Sequence, residues 1–95
     1  MSEQQLQTKI IKWLKSKGCY VIKAQAGPGV PVGCPDIIAL IDGGGYIALE
    51  VKSSSSSKFQ PLQKETIKKL DSMYFCRAVW PDNWSLIRSE IEVIV

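Results

Sequence analysis

The stretch PDIIALIDGGGYIALEVK, residues 35–52, decides the fold. Residues 35–41 read as one apolar strand and Tyr46 to Lys52 as another, joined by the turn Asp42-Gly43-Gly44-Gly45. An apolar run, a Gly-rich turn and a second apolar run make a hairpin signature. Both runs are nearly continuous in apolar residues, so both faces of their sheet are expected to be covered. Three charged residues interrupt them: Asp36 opens the first strand, and Glu50 and Lys52 close the second. Residues i and i+2 of a strand point to one face, so Glu50 and Lys52 share a face and Val51 points the other way. Asp36 joins that face only if it stands opposite residue 50 or 52. A regular hairpin pairing 41 with 46 would put it opposite 51. The turn is therefore expected to have odd length, or one strand to carry a bulge.

Outward from this hairpin, residues 2–17 read as an amphipathic helix. Leu6, Ile10, Trp13 and Leu14 fall on one face of a 3.6-residue period. Ser2 and Gln5 match a capping box, and Gly18 sits where a left-handed residue would end the helix. Cys19 to Ala24 is a short β-rich run, and residues 25–34 form a Gly- and Pro-punctuated loop. Ser53 to Ser57 read as a flexible polar loop. A second helix is expected to Ser72, capped by Gln60 with Pro61 at its first position. Tyr74 to Trp80 forms a fourth strand, and Asp82 or Asn83 caps a short helix from Trp84. Residues 91–95 are ambiguous between helix and strand. The order αβββαβα implies an α/β fold, a central mixed sheet flanked by helices.

Composition narrows the chemistry. The chain has 95 residues, 45% of them hydrophobic, which argues for one globular domain over 1–95. Net charge is +3, compatible with nucleic acid without demanding it. There is no histidine, and the three cysteines, Cys19, Cys34 and Cys76, are widely spaced. A zinc site, a disulfide framework and histidine-based triads are thereby disfavoured. No secretory signal and no membrane span are read, so a cytoplasmic, intracellular location is expected.

Any hydrolysis must then rest on carboxylates, lysine and a hard metal. Two carboxylates and an ammonium converging in a covered hairpin are costly unless paired or bound to a cation. Paired carboxylates suit Mg²⁺ or Mn²⁺. A bound metal polarises a phosphate and helps deprotonate a water. Lys52 can hold the attacking water or stabilise the charge that develops.

Gly33-Cys34-Pro35-Asp36, thirteen residues, then Glu50-Val51-Lys52 is the PD-(D/E)XK signature. With the Glu-bearing first helix and Pro61-Leu62-Gln63, the pattern resembles the VRR-NUC branch of that nuclease superfamily over about residues 3–75. The resemblance implies a restriction-endonuclease-like fold and metal-dependent hydrolysis of DNA. It implies Asp36 and Glu50 as metal ligands, with the Val51 carbonyl and, through water, Glu3. It implies Lys52 as the catalytic lysine and Gln63 as a helix glutamine bordering the site. Lacking extra domains, the chain resembles stand-alone phage- or bacterial-type members, which look like homodimers that cut branched DNA, Holliday junctions included. A phage-encoded protein in a bacterial host is among the expectations. Lys23 and Lys58 flank the site and are the expected DNA contacts. Three tryptophans, Tyr74, Phe75 and the apolar tail Ile91 to Val95 are the expected material of a dimer surface. The rival readings are a catalytically silent DNA-binding module and a flap or sequence-specific nuclease. Little surface for base readout disfavours sequence specificity.

Overall fold

The first helix begins as its capping residues dictate. In the computed structural model, which describes residues 1–25 and 27–95, α1 spans Glu3–Ser16. Ser2 Oγ accepts from Gln5 N–H at 3.1 Å, and Gln5 Oε1 accepts from Ser2 N–H at 2.9 Å. The helix ends in a left-handed Gly18, whose N–H bonds to Lys15 O while Cys19 N–H reaches Leu14 O. This Schellman closure also brings Cys19 against Leu14 in the core. The loop expected over 25–34 includes Ala26, which lies outside the described residues.

Strands β1 (Tyr20–Lys23), β2 (Ile37–Leu40), β3 (Tyr46–Val51) and β4 (Cys76–Val79) form one sheet in the order β1-β2-β3-β4. The first two pairings are antiparallel and β3–β4 is parallel, so the sheet is mixed. Helices α2 (Gln63–Met73) and α3 (Trp84–Glu92) complete the order αβββαβα. The β2–β3 register pairs Leu40 with Tyr46, leaving Ile41 to Gly45, an odd number of residues, as the connection. Ile41 N–H bonds to Gly45 O and Gly44 N–H to Ile41 O, a tight hairpin whose glycines take positive φ.

One sheet face carries Ile37, Ala39, Ile47, Leu49, Val51 and Val79. It packs against Leu6, Ile10 and Leu14 of α1 and Trp84, Ile87 and Ile91 of α3. Arg77 pairs with Asp71 of α2 and with Glu90 of α3, tying both helices to β4. The second face is covered unevenly. Over β3 and β4 lies α2, where the Tyr46 hydroxyl donates to Leu70 O at 2.6 Å. Among the described residues no helix lies over β1 and β2 on this face, and Tyr20, Ile22 and Leu40 remain exposed. The expectation that both faces are covered thus fails at the β1 end, because the three helices suffice for one face and half of the other.

Two helix starts also differ from expectation. Gln60 does not cap α2, and Pro61 lies outside it, since the helix starts at Gln63 after a left-handed Leu62 at φ +70°. Gln60 instead closes a turn with Gln63, its N–H donating to Gln63 Oε1 at 2.7 Å and its carbonyl accepting from Gln63 N–H. The turn is fixed from outside: a Cβ on Gly33 would meet Leu62 C and O at 3.1 Å and Thr66 Oγ1 at 3.0 Å. Asn83 stands at the start of α3 without capping it. Its side chain accepts from Trp80 N–H and donates to Ala78 O, back toward β4. Residues beyond Glu92 close in a turn, not a strand. The large apolar residues expected at a dimer surface divide between core and surface. Phe75, Trp84 and Ile91 are buried, and Trp13 packs edge-on to Trp84 at 5.5 Å. Tyr74 is exposed. No helix among the described residues is long and apolar enough to cross a membrane.

Candidate active site

The odd turn sets the site. One step past the Ile37–Leu49 pair, the register puts Asp36 opposite Glu50, on the face that also bears Lys52. Asp36 Oδ2 accepts from the Val51 backbone N–H at 2.9 Å, which locks the carboxylate across the end of the ladder. Glu50 is only 3% exposed, and its Oε1 has no hydrogen-bond partner among the described residues. Burial first, then the Asp36 carboxylate, pushes Glu50 up to about 7, against the opposing pull of Lys52. A buried carboxylate oxygen without a partner beside a second carboxylate is unfavourable as it stands.

Lys52 is held on every side. Its Nζ donates to Lys58 O and to Gln63 Oε1, both at 3.0 Å, and lies 3.4 Å from Glu50 Oε2. An ammonium has three N–H donors, so these contacts use all of them. The Phe59 ring sits 4.8 Å from the same nitrogen. Gln63 is buried on the first turn of α2 and divides its carbonyl oxygen between Lys52 and Gln60. It therefore fixes the lysine and the helix start together.

These groups open into a cavity of about 560 Å³ lined by Glu3, Cys34, Asp36, Glu50, Lys52 and Gln63, among others. Glu3 reaches it from the exposed first turn of α1. Lys23 does not: it pairs with Ile37 and so faces the α1 side of the sheet. The Lys58 side chain is exposed and lines a neighbouring groove, while its carbonyl receives Lys52. Burial, then Glu50 and Asp36, raises the Cys34 thiol above its ordinary value.

Among the described residues no three His, Cys, Asp or Glu side chains gather to hold a metal ion. Two carboxylates with an orphan buried oxygen suit a hard divalent cation that keeps water and substrate oxygens in its remaining positions. A structural zinc site would need more, and softer, side chains.

A family model described as archaeal Holliday junction resolvase (Hjc) matches residues 4–93. The chain belongs to that family. It is accordingly a member of the PD-(D/E)XK nuclease superfamily. Membership places the chain among Holliday junction resolvase endonucleases. Neither a curated protein nor a solved structure matches. Asp36, Glu50, Lys52, Gln63 and Glu3 border one cavity, whereas the Lys23 side chain lies on the other face. Sequence reasoning missed Phe59 and the Lys58 carbonyl. Phe59 carried a signal, an aromatic seven residues after Lys52 and next to Lys58; a backbone carbonyl carries none.

Proposed function

We propose that residues 1–95 form one catalytic domain, a Mg²⁺- or Mn²⁺-dependent, structure-specific endonuclease that cuts four-way DNA junctions as a homodimer. The observation that carries this reading is the buried Glu50 Oε1, without a partner among the described residues, opposite Asp36 and 3.4 Å on its other oxygen from a fully held Lys52. Asp36 and Glu50 would hold the ion. The Val51 carbonyl would join them, since a strand residue's N–H and C=O project to the same edge and its N–H faces Asp36. Glu3 would reach the ion through water from the cavity rim. When bound, the ion supplies polarisation of the phosphate and a lower pKa for a bound water.

The chain's own groups do the rest. Glu50 and Asp36 would both carry their charge when holding that ion, their mutual repulsion then being offset. The Lys52 N–H that faces Glu50 would be the one to orient a water or meet the developing negative charge. Gln63 and the Lys58 carbonyl keep the ammonium in place. The water attacks phosphorus in line and the 3′ oxygen leaves, as the superfamily resemblance implies.

Symmetric cutting of a junction needs two such sites in fixed relation, which a two-fold dimer supplies. The surface that supports this is the uncovered sheet face. Tyr20 and Leu40 are cross-strand partners, 71% and 44% exposed, with Ile22 beside them at 41%. They lie on the face of Glu50 but at the opposite end of the strands, so a partner there leaves the cavity open to DNA. A nicking assay on linear, flap and four-way DNA with Mg²⁺ tests the reading. Paired nicks in the junction in preference to duplex are expected. Equal cutting of linear duplex would defeat junction specificity, and binding without cutting would favour the silent module.

A further inference from the structure

Beside the carboxylate cavity runs a second groove of about 590 Å³, and Gln60 lines both. Its walls include Ser55, Ser56, Lys58, Phe59, Lys64 and Glu65. Two lysines against one glutamate leave it positive. The serine segment is organised by its own hydroxyls: Ser53 Oγ and Ser57 Oγ lie 3.0 Å apart, Ser54 N–H donates to Ser57 Oγ at 3.1 Å, and Ser54 Oγ meets Ser56 Oγ at 3.0 Å. The Ser55 hydroxyl makes no hydrogen bond among the described residues and is free to donate. Phe59 separates the two hollows. Lys52 Nζ lies 4.8 Å from its ring on the cavity side, and Lys64 Nζ lies 5.5 Å from it. The two ammonium groups are thus no more than about 10 Å apart, within the span of about three nucleotides of one strand.

We propose that this groove seats a second phosphate of the cleaved strand, bound by Lys58, Lys64 and the Ser55 hydroxyl. That phosphate lies within about three nucleotides of the phosphodiester held at Asp36 and Glu50. The proposal rests on the nuclease reading above. Phosphate is the ligand because the wall offers ammonium and hydroxyl donors, which is how proteins grip backbone rather than sequence. The Lys58 carbonyl holds Lys52, so the segment that grips the strand also fixes the lysine at the cut.

The test is equilibrium binding of a four-way junction by the metal-free protein, with one neutral methylphosphonate moved through the phosphates flanking the cut. At one position within about three nucleotides of the cut, wild type is expected to lose about tenfold in affinity. Lys64→Ala and Ser55→Ala should weaken the unmodified junction and show little further loss from that methylphosphonate. Lys64→Ala should also lower the salt slope by about one. Lys17→Ala, which removes a charge at the far end of α1, should leave the methylphosphonate effect intact. If every position costs Lys64→Ala and Ser55→Ala as much as wild type, the groove proposal is overturned while the nuclease reading stands. If wild type neither binds nor cuts the junction, both readings fall.

Discussion

Glu50 sets the pH behaviour of the metal-free protein. Its folded-state value of about 7 lies above the ordinary 4.5, so the folded chain holds a proton that the unfolded chain has released. That contribution to stability is complete below pH 4.5 and is lost as pH rises through 7. The expected loss is on the order of 3 kcal/mol, readable as a fall in melting temperature of metal-free protein between pH 5 and 8. Glu50→Gln should flatten this profile, and an unchanged slope in that variant would refute the assignment. Metal affinity should rise over the same window, because binding must expel the proton. Gln63 gives a separate prediction. Gln63→Ala leaves both Lys52 Nζ and the Gln60 N–H short of a partner. Stability should drop by about 1–3 kcal/mol and cleavage by roughly 10–100-fold. Loss of stability alone, with the rate per folded molecule unchanged, would mean that the glutamine only starts the helix.

At the scale of elements, the junction between the 27–34 loop and α2 tests whether the site is built by close backbone approach. Gly33 and Gly18 both sit at φ +85°, but a Cβ at Gly18 meets nothing within 4 Å, whereas one at Gly33 meets Leu62 backbone at 3.1 Å. Gly18→Ala should cost about 1 kcal/mol, the conformational term alone. Gly33→Ala should cost about 2–4 kcal/mol and also impair cleavage, because it pushes Leu62 and with it Gln63. Equal costs, measured by urea titration, would contradict that contact. The same junction marks what the sequence could not reveal. The hairpin, the shared face of Asp36, Glu50 and Lys52, and the odd turn follow from local period and parity. The capping box of α1 follows from two residues three apart. The start of α2 does not, since Gln60 and Pro61 look like a helix start and only the distant Gly33 loop selects a left-handed Leu62. Burial of Phe75 and Trp84 was likewise illegible, because apolar content does not say which helix lies over which half of a sheet. Lys23 stands away from the cavity for a plainer reason: proximity in sequence ignores that its strand partner, Ile37, faces the core.

For the whole molecule, the exposed row Tyr20–Leu40 with Ile22 is the surface to challenge. Leu40→Lys places a charge on it without touching the core, so the proposed dimer should dissociate at least tenfold more readily in sedimentation. The folded protomer and its metal affinity should persist. Junction cutting should decay from paired to single nicks. A dimer indifferent to Leu40→Lys would move the interface elsewhere, and a wild-type monomer would remove it. Core packing supplies an independent check: Ile10→Ala, fully buried beneath the sheet, should cost about 2–5 kcal/mol without altering the pH profile. The central claim is that Asp36 and Glu50 form a metal-dependent hydrolytic site. Its most direct test is cleavage of a four-way junction by wild type and Asp36→Ala, each with Mg²⁺ and with excess EDTA. Wild type with Mg²⁺ is expected to cut and the other three combinations to leave the junction whole. Cutting that survives in EDTA, or in folded Asp36→Ala, would contradict the account.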